Sequence, residues 1–328
     1  VELAVPDTVR HNYEELLRTD TYPPCYKVIP QLPRLKVRSW MSALETERLE
    51  RKTEDIRRRA RLCDGSWESA YFVTIARNYG FGINGDAMEQ WALRVPLNDV
   101  GHHRDNAFQV EAFFMGQAGL LDTASMPERH RQAAIDDDYF QRLQHEYAYL
   151  AHKFQLTPID YRLWRFLRLR PQNFPHIRIA QLVNLYCQRK TSLSLLVETG
   201  QLDDIKDMLS TQVTPYWETH YAFGCESAKS KKHLSASSIN LLLINTVVPM
   251  LFAYGRHKQD DKLCDRAFDI LEQLRAEDNT IVRTWSEIGL GVENAGDSQA
   301  LIQLKKEYCD RRECLRCRFG YEYLKQKE

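Results

Sequence analysis

Apolar residues recur along most of this chain at the three- and four-residue spacing of helices, and almost nowhere with the alternation of strands. From Trp40 to Cys63 they fall at 40, 44, 49, 53, 56, 60 and 63, counting Thr53, which predicts one long helix ended by Asp64-Gly65. Its outer face carries Glu47–Arg51, Glu54–Arg58 and Asp55–Arg59, each an acid four residues before a base. Such a pair adds only about 0.3–0.5 kcal/mol, yet three in a row favour an exposed helix. Ser66 is placed to cap a helix over 67–79 that stops at Gly80. Asp86 with Glu89 makes a capping-box pattern for a helix to about residue 94, before Pro96, and Asp105 is placed to cap 106–121. A single amphipathic helix is predicted over 128–154, ending before Pro158. Helical patterns follow at 158–169, 176–189, 192–199, 203–210, 235–254, 260–276, 280–288 and 298–308.

The first 38 residues differ. Pro6, Pro23, Pro24, Pro30 and Pro33 interrupt them, and only 9–17 shows a short helical pattern. Residues 27–29 and 35–37 are the only strand candidates. The expectation is an all-α fold, an irregular multi-helix array with a proline-rich N-terminal connector. Residues 1–38 form that connector or arm, and residues 39–328 form a helical domain with two lobes dividing near 155–160. No fixed-period repeat argues for a solenoid.

Composition narrows the class. The chain has 328 residues, 43% hydrophobic and 27% charged, which excludes wholesale disorder and low-complexity architecture. The longest apolar stretch, 239–254, contains Asn240, Asn245 and Pro249, so it reads as a buried core helix kinked near the proline rather than a membrane span. No charged-then-apolar leader opens the chain, and scattered cysteines fit a reducing compartment, so a cytoplasmic location and no membrane partner are expected.

Charge changes the picture more. Forty-five basic residues balance forty-five acidic ones, which excludes a globally basic nucleic-acid binder. The balance hides segregation: residues 161–197 hold seven bases and no acid, whereas residues 260–297 hold ten acids and four bases. Arg162, Arg165 and Arg168 recur every third residue and so share one side of the predicted helix. With Arg170 and Arg178, among Tyr161, Trp164, Phe166 and Phe174, they make a candidate phosphate-tracking patch, because guanidinium groups bind phosphate bidentately and aromatics stack bases. The alternative is that these arginines pair with acids elsewhere, such as Asp136-Asp137-Asp138.

Cys309-x4-Cys314-x2-Cys317 is the second candidate. Two thiolates at CxxC spacing suit zinc or an iron–sulfur cluster, and a third strengthens the pattern. A fourth donor has to come from elsewhere, with Cys264, Cys225, Cys187, His257, His233 and His220 available. Flanking Lys305, Lys306, Arg311, Arg312, Arg316 and Arg318 are expected to depress the thiol pKa values. The plain alternative is three reduced cysteines packing a terminal turn.

Two loops complete the inventory. Asn78-Tyr79-Gly80-Phe81-Gly82-Ile83-Asn84-Gly85-Asp86 is a glycine-rich turn feeding a helix, a geometry suited to anions, but it has no phosphate-loop lysine. His103, Asp105 and Glu111 are the densest imidazole–carboxylate grouping and the candidate general-base site, with an ordinary cap and solvated loop as the alternative. No serine-hydrolase elbow or zinc-protease motif occurs.

Gly65-Ser66-Trp67-Glu68, Ala76-Arg77-Asn78-Tyr79-Gly80-Phe81-Gly82, His103-Arg104-Asp105 and Gly116-Gln117-Ala118-Gly119-Leu120-Leu121 together resemble an uncharacterised bacterial family, the domain of unknown function numbered 2851. Arg170 through Pro175, Asn245 through Pro249, Ser298 through Lys305 and the tail Tyr308 through Cys317 extend the resemblance over nearly the whole chain. The resemblance implies no activity, substrate or catalytic residue. It also implies a further β-rich portion before Val1, reminiscent of restriction-endonuclease-like folds, which would be a partner of this helical remainder. The functional expectation is therefore a helical accessory region that holds nucleic acid through the basic patch. The alternatives are a protein-interaction scaffold and an enzyme centred on the His/Asp/Glu grouping.

Overall fold

The computed structural model describes residues 5–326. Among them the fold is all-α and irregular: α1 (Asp7–Arg18), α2 (Arg34–Leu62), α3 (Trp67–Tyr79), α4 (Gly85–Arg94), α5 (Leu97–Gly101), α6 (Ala107–Gln117), α7 (Glu128–Ile135), α8 (Asp138–Phe154), α9 (Pro175–Cys187), α10 (Leu193–Glu198), α11 (Leu202–Leu209), α12 (Ala236–Leu242), α13 (Val248–Lys258), α14 (Asp261–Gln273), α15 (Thr280–Glu287), α16 (Ala295–Gln303) and α17 (Arg318–Leu324). One antiparallel hairpin, β1 (His220–Ala222) with β2 (Cys225–Glu226), is the only sheet among the described residues. It lies where the residue pattern predicts no strand. Neither strand candidate holds: 35–37 belongs to α2, and Ile29 begins a short 3-10 turn.

The chain forms two compact units, one of residues up to Glu54 together with those from Gly255 on, the other Asp55–Tyr254. The expected division near 155–160 falls inside the second unit.

In the first unit, α2 begins at Arg34, so the connector read from its prolines ends at Pro33 rather than at 38. Its core gathers Leu16, Trp40, Leu44, Trp285, Leu301 and Phe319. Glu47 does not pair with Arg51; it accepts from Tyr308 Oη at 2.7 Å and Gln303 Nε2 at 3.2 Å. Arg51 reaches Glu307 at 3.8 Å and Gln303 at 3.0 Å. Partners distant in sequence offer less solvent-exposed geometry than the helix's own surface, and they win.

In the second unit, α3, α6 and α9 are buried on nearly every face, as central helices must be: Tyr71, Phe72, Phe113, Phe114, Ile179 and Leu182 are all at 2% exposure or less. Glu89 is buried too, and three guanidinium groups hold it: Arg58, Arg59 at 3.1 Å and Arg77 at 2.8 Å. The Asp86–Glu89 capping box does not form, because Asp86 pairs with Arg77 at 2.8 Å and Glu89 is engaged in the core. The helix expected over 128–154 is two, with Asp137 capping the second through Phe140 N–H at 2.7 Å.

Ala236–Lys258 is a continuous helix in which Leu243–Val247 is π-wound. Pro249 has no N–H for the Asn245 carbonyl four residues before it, and the Asn78 side chain donates to that carbonyl at 3.1 Å. By length and composition this is the one helix among the described residues apolar enough to cross a membrane. Most of its apolar window, 61%, is buried inside the protein, as in a core helix.

Candidate anion-binding cleft

The helix expected over 158–169 is absent, and its absence builds the site. Asp160 caps a single turn by accepting from Arg162 N–H at 2.8 Å, and the chain leaves that turn extended at Trp164. Trp164 Nε1 then donates to the Ala118 carbonyl at 2.7 Å. Asn84 takes both backbone groups of Arg165, donating to its carbonyl and accepting from its N–H, each at 2.9 Å. These tertiary bonds replace the helical ladder, and Arg168 adopts a left-handed φ of 65°. The every-third-residue face of Arg162, Arg165 and Arg168 therefore does not exist.

Asn84 belongs to the glycine-rich turn between α3 and α4. Gly82 has φ +86°, and a Cβ on Gly80 would stand 2.4 Å from the Gly85 nitrogen, so both positions need glycine. The turn and the arginine stretch, separate features in the sequence, thus form one wall. Between them lies a cleft of about 110 Å³ lined by Tyr79, Gly80, Phe81, Asn84, Leu169 and Arg178, among others.

Arg178, on the first turn of α9, is 8% exposed and has no carboxylate partner among the described residues. It donates to Asn173 Oδ1 at 2.7 Å and Gln181 Oε1 at 2.9 Å, and its guanidinium lies 4.5 Å over the Phe81 ring. Burial lowers its pKa to about 10, with only a weak opposing influence from Tyr79. The Tyr79 hydroxyl is buried without a hydrogen-bond partner. A buried cation among neutral acceptors, beside an unpartnered hydroxyl, is an arrangement that an anion would complete.

Arg162, Arg165, Arg168 and Arg170 are exposed, and none makes an ion pair among the described residues. Two of the acids offered as partners are engaged elsewhere: Asp136 accepts from Gln132 at 2.9 Å, and Asp137 caps α8 and accepts from Tyr216 at 2.8 Å. Arg165 is tied to the cleft through its backbone, and Arg168 and Arg170 flank its lining residue Leu169. Arg162 sits apart on the capped turn. Leu167, between them, is 83% exposed.

His103, Asp105 and Glu111 are not brought together. His103 Nδ1 bonds Gln109 at 2.8 Å, and the ring packs on Phe113 and Phe154. Asp105 is exposed, and Asn106, not Asp105, caps α6. Glu111 is fully buried, where burial raises its pKa against the hydrogen bonds from Thr214 and Trp217, each at 2.6 Å. No hydrogen bond or ion pair links the three.

Cys309, Cys314 and Cys317 are free thiols in or against the core of the first unit. Flanking bases do not set their pKa values: the lowering by Lys305 at Cys309 and by Arg312 at Cys314 is outweighed. Burial raises all three, while Arg311 pairs with Glu307 at 2.9 Å and Arg312 donates to the Leu17 carbonyl at 2.6 Å. Among the described residues no three His, Cys, Asp or Glu side chains gather as a metal-ion site. None of the three cysteines proposed as a fourth ligand belongs to the trio's hydrophobic core. Cys264, for one, packs beside Gly255 and Asp260. Cys25 joins instead, three hundred residues earlier by rough count, and only its proline-marked neighbourhood distinguished it in the sequence.

A family model described as a protein of unknown function (DUF2851) matches residues 1–280. The segments 298–305 and 308–317, which carried part of the resemblance, lie outside the matched residues, and the match does not bear out the expected preceding portion. No curated protein and no solved structure matches the chain.

Proposed function

Given that the chain belongs to the DUF2851 family, whose function is unknown, we propose that its Asp55–Tyr254 unit is a helical nucleic-acid-binding module. The cleft seats one phosphate on Arg178, while Arg165, Arg168 and Arg170 follow the backbone on either side. The carrying observation is the buried Arg178 guanidinium without a carboxylate. A structural arginine this deep is ordinarily neutralised by an acid, as Arg59 is by Glu89. The unpaired state of four exposed arginines in an acid-free stretch supports the same reading.

The experiment is fluorescence anisotropy of a labelled single strand and a labelled duplex across a salt series. Log affinity is expected to fall with log salt by about 0.7 per neutralised phosphate on a single strand and about 0.9 on a duplex. Absence of binding to either at low salt overturns the proposal.

A further inference from the structure

The Asp55–Tyr254 unit holds a second, smaller cavity of about 50 Å³, walled by Tyr161, Phe166, Phe174, His176 and Phe223 together with His130. Its rings form one aromatic cage. Phe166 stacks on Tyr161 at 5.8 Å and meets Phe174 edge-on at 5.2 Å. His176 stands 5.8 Å from Phe166 and 5.4 Å from Phe223. Tyr161, His176 and Phe223 are buried, whereas Phe166 and Phe174 are half-buried and keep ring surface open to a ligand.

The cage and the anion cleft share one stretch of chain. Phe166 follows Arg165, whose backbone Asn84 holds, and Phe174 stands between Asn173 and Pro175, which line the cleft. His176 and Arg178 are two residues apart on α9, which turns them to different sides of the helix, and each lines one of the two hollows. His176 is 4% exposed, and its Nδ1 is buried without a hydrogen-bond partner. Buried polar nitrogens are ordinarily paired, so this one marks a place for a ligand. Burial pushes its pKa down to about 3, so the ring is uncharged at neutral pH. An uncharged imidazole among aromatic rings suits the polar edge of a neutral ring, not a phosphate. His130, the other imidazole of the wall, has its Nδ1 3.8 Å from Cys225 Sγ.

We propose that this cage takes the edge of one unpaired pyrimidine base, from a strand whose phosphates lie on Arg178 and the neighbouring arginines. His176 Nδ1 bonds the polar edge of the base, and Phe166 and Phe174 pack on its ring. The proposal rests on the nucleic-acid reading above. Size decides for a single ring: a buried apolar cavity of about 150 Å³ holds a whole benzene. The cage, at about 50 Å³, admits one side of such a ring and leaves the remainder against the two half-buried phenylalanines. A fused purine has more to place. A base inside a duplex does not reach the cage unless it leaves the stack.

The test compares a thymine dodecamer with a dodecamer of abasic sites, which carries the same phosphates, by fluorescence anisotropy across a salt series. The thymine strand is expected to bind about fivefold to a hundredfold tighter, the range for one base stacked on an aromatic ring, with an equal salt slope. Ala134→Leu fills the cage and leaves every arginine in place, and it is expected to bring the thymine strand down to the abasic level. Equal binding of the two strands overturns the base cage and leaves the phosphate reading standing, whereas binding of neither overturns both. A thymine preference that survives in folded Ala134→Leu also overturns the cage. Should Ala134→Leu fail to fold, the wild-type protein decides. A strand carrying one 5-iodouracil is expected to photo-crosslink to Tyr161, Phe166 or Phe174, and crosslinks confined to residues outside the cage overturn the proposal. An adenine dodecamer that gains as much over the abasic strand as thymine does overturns the choice of a pyrimidine.

Discussion

Asn84 holds both backbone groups of Arg165, its amide donating to the carbonyl and its oxygen accepting from the N–H at 2.9 Å each. One side chain thereby does for the arginine stretch what a helical turn would have done. Asn84→Ala should cost about 1–2 kcal/mol in urea unfolding, the worth of two largely buried hydrogen bonds. The same variant should weaken oligonucleotide binding by more than its stability loss explains, because the arginines lose their anchored loop. Unchanged affinity in a folded Asn84→Ala protein would detach the loop from the binding function.

Arg178→Met keeps the volume and removes the charge. Replacing a buried cation that lacks a counter-ion by an apolar side chain is commonly neutral or stabilising. The variant should therefore unfold at an equal or higher temperature than wild type, yet lose the rise in unfolding temperature that added phosphate gives. Equal phosphate stabilisation of both proteins would show that Arg178 is structural.

The exposed arginines and Leu167 should act differently. Arg168→Gln and Arg170→Gln should each lower the single-strand salt slope by about 0.7, the signature of one lost phosphate contact. Leu167→Ala should reduce affinity and leave the slope unchanged, since an apolar wedge contacts bases rather than phosphate. An altered slope in Leu167→Ala would disprove that division of labour.

His176 gives the fold an acid-sensitive point. Burial, with a smaller contribution from charge on His130, lowers its pKa from 6.5 to about 3, and its Nδ1 has no hydrogen-bond partner. The folded state holds the ring neutral while the unfolded chain protonates it below 6.5, so stability is lost as pH falls from there towards 3. The loss approaches about 1.4 kcal/mol per pH unit for this single group. His176→Phe should flatten that dependence in urea titrations at successive pH values. A slope the same as wild type would mean that another group titrates.

Sequence and structure part company in instructive places. The 3.6-residue pattern located most helices because amphipathic burial is a local constraint, readable from neighbours. It failed at 158–169, where Asp160, Trp164 and Arg165 give their hydrogen bonds to each other's turn, to Ala118 and to Asn84. It failed again for the Asp86–Glu89 box, since a carboxylate facing three guanidinium groups gains more in the core than at a helix end. The charge segregation of 161–197 was legible, but its geometry was not. The His103, Asp105 and Glu111 grouping was a coincidence of sequence proximity, undone when Glu111 turned inward to Thr214 and Trp217.

The sequence by itself determined an all-α chain, its membership of the matched family, and the arginine-rich stretch and cysteine tail as the places to look. Tertiary structure decided that the glycine-rich turn and the arginines form one cleft, that Arg178 lies in it without an acid among the described residues, and that Cys25 shares a hydrophobic core with Cys314 and Cys317. The reason is physical. Helix formation follows from the spacing of adjacent residues, whereas a site depends on which buried polar groups find partners across the fold, and that is settled only when the core closes.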